Sequence, residues 1–116
     1  VAPDARLWVT AGADRRLAIA GTAQSADAAP QHVTFGDGVA YVTSGDAGLL
    51  RVLTLDGRLV RTTPIPPGSY NVQHGFGRVL TASLTHGSLT VLDRRGVVLG
   101  HSQVARACHD ACFLPR

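Results

Sequence analysis

The chain has 116 residues, 45% of them hydrophobic and 16% charged, a size and balance that suit one folded domain and exclude a disordered tail. Its formal net charge of +3 rests on 11 basic residues, all arginine, scattered from Arg6 to Arg116 with only Arg15-Arg16 and Arg94-Arg95 adjacent, which argues against a nucleic-acid partner. No apolar run approaches the ~20 residues of a membrane-spanning helix, and no basic start leads into a signal-peptide core; opening on Val1, the sequence reads as an excerpt or a processed product.

Residues 7–21, "LWVTAGADRRLAIAG", hold two short apolar runs around a polar turn, and the "TAQSADAAP" that follows reads as a trimmed outer strand or loop. From Gln31 the pattern is fuller, with strands expected near 32–35, 39–44, 49–55 and 59–64 and a tight hairpin at Asp56-Gly57. "PIPPGS" at 64–69 cannot continue a hydrogen-bonded central strand and marks an outer strand crossing to the next unit. Strands then follow near 71–74, 78–83, 88–93 and 97–103, with Arg95-Gly96 in the corresponding turn, and "HDACF" opens a further start at His109.

These units are copies of one another. Gly48 matches Gly87, Leu50 matches Leu89, Val52 matches Val91 and Gly57 matches Gly96, all at a constant step of 39. Trp8, Val9 and Thr10 match Tyr41, Val42 and Thr43 at a step of 33, and the shortfall is assigned to "TAQSADAAP". No apolar spacing of three and four residues lasts for several turns, so helix is disfavoured. Four strands in about 40 residues make one β-propeller blade. The expected fold is therefore all-β, built of four-stranded antiparallel sheets: an incomplete blade over 1–30, full blades over 31–69 and 70–108, and the first strand of another over 109–116.

"AYVTSGDAGLLRVLTLDGRLV" at 40–60, and more weakly "RVLTASLTHGSLTVLDRRGVV" at 78–98, resemble the repeat of YVTN-type (YncE-like) β-propellers, which have lactonase-type relatives. The resemblance implies a ring of roughly seven blades, of which this chain is an incomplete segment, and an extracellular or periplasmic setting. The rest of the propeller, or further copies of the chain, would then be needed to close the ring.

On this alignment the innermost strands carry His32, Asn71, His109 and Asp110 side by side, a candidate polar lining of the channel whose imidazole and carboxylate groups could take a divalent cation. The competing account is that they bond backbone and water, and no metal or other cofactor is assigned. Asp14, Asp46 and His86 lie in loops that recur from copy to copy and form a candidate binding rim, although turn propensity explains the aspartates equally well. Cys108 and Cys112 are either a disulfide or two thiols; four residues of extended chain span ~13 Å, so a bridge requires the segment to bend. No catalytic constellation, nucleophile elbow or phosphate loop is present. The leading expectation is a non-enzymatic module that binds a protein or small-molecule ligand, and the alternative is a lactonase- or quinoprotein-like enzyme with an axial metal or cofactor.

Overall fold

The computed structural model describes residues 2–115, and among these no helix is present. Eleven strands form three antiparallel sheets. The first holds β1 (Trp8–Ala11), β2 (Arg16–Ile19) and β3 (Thr22–Ser25), and the second holds β4 (His32–Gly36), β5 (Val39–Ser44), β6 (Leu49–Thr54) and β7 (Leu59–Pro64). The third holds β8 (Gln73–Gly75), β9 (Arg78–Ala82), β10 (Ser88–Asp93) and β11 (Val98–Gln103). In each four-stranded sheet the spatial order follows the chain order, as expected of hairpin-linked Val, Leu and Thr runs.

The middle sheet is apolar on both faces because it is packed on both sides. Ala40, Val42 and Leu53 pack with Trp8, Leu17 and Ile19 of the first sheet, whereas Tyr41, Leu50, Val52 and Ile65 pack with Val72, Val79 and Leu92 of the third. Along β5 the alternation of Ala40 and Val42 with Tyr41 follows the period of two that sends successive side chains to opposite faces. Stacked sheets with this connectivity are propeller blades, and the chain is a partial propeller of three.

Repetition extends to irregularities. β6–β7 and β10–β11 both slip register after the matched residues Val52 and Val91. The following turns are capped alike: Arg58 N donates to Thr54 Oγ1 at 3.1 Å, and Arg95 N and Val97 N donate to Asp93 Oδ1 at 2.8 and 3.0 Å.

Three sequence expectations change. Arg16 pairs with Ser25 where Leu49 pairs with Pro64, so the step from copy to copy is 33 at β2 and already 39 at β3. The missing residues therefore lie in the β2–β3 hairpin and not in "TAQSADAAP". That hairpin is a two-residue turn with both central φ positive, Ala20 at 50° and Gly21 at 85°, the geometry that matches strand twist. β8 starts at Gln73 rather than 71, because the Asn71 carbonyl accepts from Thr81 Oγ1 at 2.6 Å instead of entering the ladder. Finally, residues 109–115 form no strand, having no second strand to pair with in this chain.

Candidate functional site

Side chains bridge the sheets at matched positions. Thr10 Oγ1 donates to Gln31 O at 2.9 Å, and Thr43 Oγ1 donates to Tyr70 O, the counterpart of Gln31 in the next copy. Gln24 Nε2 donates to Gly57 O at 2.8 Å, and its counterpart Thr63 donates through Oγ1 to Gly96 O at 2.6 Å. Each removes a carbonyl at the blade boundary from the unpaired state, which is costly when buried. The threonine of the Tyr-Val-Thr run is thus a latch between blades.

Positions where the two interfaces differ are better candidates for function. At the first, the Leu55 carbonyl accepts from Arg6 Nη2 at 2.7 Å, while Arg6 also pairs with Asp4 at 2.6 Å and Asp56 at 3.3 Å. At the second, the matching Arg94 carbonyl accepts from Tyr41 Oη at 2.6 Å. With the phenol in that role no arginine is consumed, and Arg94 and Arg95 stand where Leu55 and Asp56 stand one copy earlier. The result is a groove of about 400 Å³ between the second and third sheets, lined by Val39, Val52, Val60, Asp37, Arg61, Arg94 and Arg95. Arg95 pairs with Asp93 at 3.3 Å, whereas Arg61 and Arg94 form no ion pair among the described residues. Asp37, the groove's acid, accepts from His74 Nε2 at 2.9 Å, and the imidazole stacks on Tyr41 with centroids 5.9 Å apart. Burial, then the negative charges of Asp37 and Asp93, pushes the Tyr41 phenol up to about 12.

A second cavity, of about 270 Å³, separates the first two sheets and is lined largely by Leu17, Gln24, Asp27, Val42, Arg51 and Leu53. Arg51 is buried, donates to Ser44 Oγ at 2.7 Å and forms an ion pair with Asp27. Its counterparts are Ala18 and Thr90, so this buried charge belongs to one blade only.

The residues singled out from sequence gather at the opposite end from the groove, or stand apart. Exposed Asp46 accepts from Tyr70 Oη at 2.7 Å and Gln31 Nε2 at 3.3 Å, tying two inner strands to the β5–β6 turn. That bond to Asp46 is the main reason the Tyr70 phenol is pushed up. Asn71 Nδ2 donates to the His109 carbonyl at 3.4 Å. His32, His109, Asp110, Asp14 and His86 are exposed. Among the described residues no three His, Cys or Asp side chains come together as a metal site. Cys108 and Cys112 are free thiols, half-buried and exposed, in place of the bridge left open above.

The groove was missed because Arg61 lies in strand β7 and Arg94 and Arg95 in the turn after β10, far apart in the sequence. Only the Arg94-Arg95 pair, set against Leu55-Asp56 in the preceding copy, signalled it.

No family model matches the chain, and no curated protein matches it. Solved structures similar in fold include a streptogramin B lyase at TM-score 0.73 and 16% identity, and a catalytically inactive virginiamycin B lyase from Staphylococcus aureus, with quinupristin, at TM-score 0.73 and 19% identity. Each likeness covers 88% of this chain but only 38% and 39% of the lyase chains, so the chain spans well under half of such a molecule. At this identity the fold is what is shared.

Proposed function

We propose that the chain is a non-enzymatic binding module that holds an anionic group, a carboxylate or phosphate, in the groove between its second and third blades. One observation carries this reading: Arg61, Arg94 and Arg95 surround an apolar floor of Val39, Val52 and Val60, where the other interface offers Thr22, Leu55 and Asp56. Guanidinium groups bind carboxylate and phosphate in a forked geometry, and apolar walls lower the dielectric around that contact. Asp37 is turned to His74, which limits its repulsion of an incoming anion. Calorimetric titration with inorganic phosphate and with a short Glu-rich peptide tests the reading. At least tenfold weaker binding is expected for Arg61→Gln/Arg94→Gln, together with a loss of affinity as salt rises. Equal affinity of variant and parent would refute it.

The same reading includes YVTN-type ancestry, supported by Tyr41-Val42-Thr43 and the constant step of 39, and an extracellular or periplasmic setting. A second reading, a propeller enzyme, draws on the fold shared with the two lyases and on the polar inner-strand residues His32, Asn71, His109 and Asp110. Incubation with quinupristin, followed by chromatography, is expected to leave it unchanged; its consumption would favour the enzyme.

A further inference from the structure

The interface between the first and second sheets follows the plan of the one between the second and third, but it is less completely filled. Ile65 N donates to Gly48 O at 2.9 Å, and Ala26 N donates to Arg15 O at 2.8 Å; the two bonds correspond in the repeat, so Ala26 stands where Ile65 stands one copy later. Ile65 is buried in the core between the second and third sheets. Ala26, lacking the rest of that side chain, lines the cavity of about 270 Å³ between the first and second. Protein interiors leave few voids larger than a water molecule, and this one lies against a buried charge, Arg51, where the other interface has Thr90.

Arg51 is only 5% exposed, yet its hydrogen-bonding groups are partly unsatisfied. Nη1 donates to Ser44 Oγ at 2.7 Å, and Nη2 makes the ion pair with Asp27. Nε and Nη2 are both buried, and neither completes a hydrogen bond among the described residues. These two nitrogens form the side-on edge of the guanidinium, which grips a carboxylate through two parallel bonds. Asp27 covers that edge in part, from a side chain 64% exposed to solvent. Its backbone is held separately: the Asp27 carbonyl accepts from Arg15 Nη2, and Ala26 N bonds the Arg15 carbonyl. The Asp27 carboxylate can therefore turn into water while the loop stays in place.

We propose that this cavity is a second binding site, separate from the arginine groove, for a small organic acid with an apolar body. The acid's carboxylate takes Nε and Nη2 of Arg51 and displaces Asp27 to solvent, and its body lies against Leu17, Val42, Leu53 and Leu59. The exchange keeps the buried guanidinium paired, as a buried charge requires, and completes its side-on edge. Size agrees with this ligand class: a cavity of ~150 Å³ holds benzene, so about 270 Å³ admits an acid the size of benzoate. Arg51 is the one cation in the lining among the described residues, so a second acidic group would enter without a partner, and monocarboxylates are preferred over dicarboxylates.

Titration of the chain with benzoate, followed by heteronuclear NMR, is expected to give saturable amide shifts at Leu17, Val42 and Leu53. Ala26→Ile, which supplies the filling seen at Ile65, should retain the β-sheet circular dichroism and lose benzoate binding. Arg51→Gln should bind about tenfold more weakly or worse, and benzyl alcohol, with the same ring and no charge, should bind the parent more weakly by a similar factor. Asp27→Asn should bind benzoate more tightly than the parent, because the internal competitor has lost its charge. Absence of saturable shifts in the parent, or unchanged affinity in a folded Ala26→Ile, would overturn the site. Equal binding of benzyl alcohol and benzoate would overturn the role of Arg51, and weaker binding by Asp27→Asn would overturn the displacement.

Discussion

Tyr41 shows how one side chain can hold a fold and shape a site together. Its ring fills the core between the second and third sheets, its hydroxyl closes on the Arg94 carbonyl, and its face carries His74. Tyr41→Phe keeps the ring and leaves that carbonyl without its donor, which should cost about 1–2 kcal/mol in denaturant unfolding. Folding favours the neutral phenol, whose pKa stands near 12 against the ordinary 10. The corresponding stability is complete below pH 10 and is lost as pH rises toward 12. Relative to the parent, the Phe variant should therefore lose less stability between pH 10 and 12, as read by unfolding at each pH; parallel curves would refute the assignment.

Between elements, the latches explain why the repeat uses threonine. Thr43 is fully buried and gives its hydroxyl to the strand start of the next blade. Thr43→Val preserves volume but strands the Tyr70 carbonyl, at an expected cost of about 1–3 kcal/mol. At the third position Ala82 replaces threonine, and the His109 carbonyl takes the longer Asn71 bond instead. That contact is longer than the threonine bond at 2.9 Å, and hydrogen exchange is expected to be fastest beyond residue 104. The strand bounds were legible in the sequence, as 39–44 and 59–64 illustrate, because alternating apolar runs and glycine turns are local signals. The shortened β2–β3 hairpin was misplaced because a deletion leaves no mark of its position until pairing partners are known.

For the whole molecule, stability is shared between stacked sheets rather than held in one core, and the two outer faces remain short of neighbours.

The sequence by itself determined the all-β class, the blade repeat and its constant step, since these follow from periodicity and turn chemistry within a few residues of chain. Only the tertiary structure decided which polar residues meet. Asp46 joins Tyr70 across 24 positions, Asp37 joins His74 across 37, and Arg61 reaches the wall formed by Arg94 and Arg95. The polar residues at the strand starts, although adjacent in the repeat, face solvent for the most part. Site chemistry depends on side-chain direction and on what the neighbouring blade already satisfies, and neither is encoded in local spacing: Tyr41 relieves the Arg94 carbonyl, and Arg61, Arg94 and Arg95 meet around one groove.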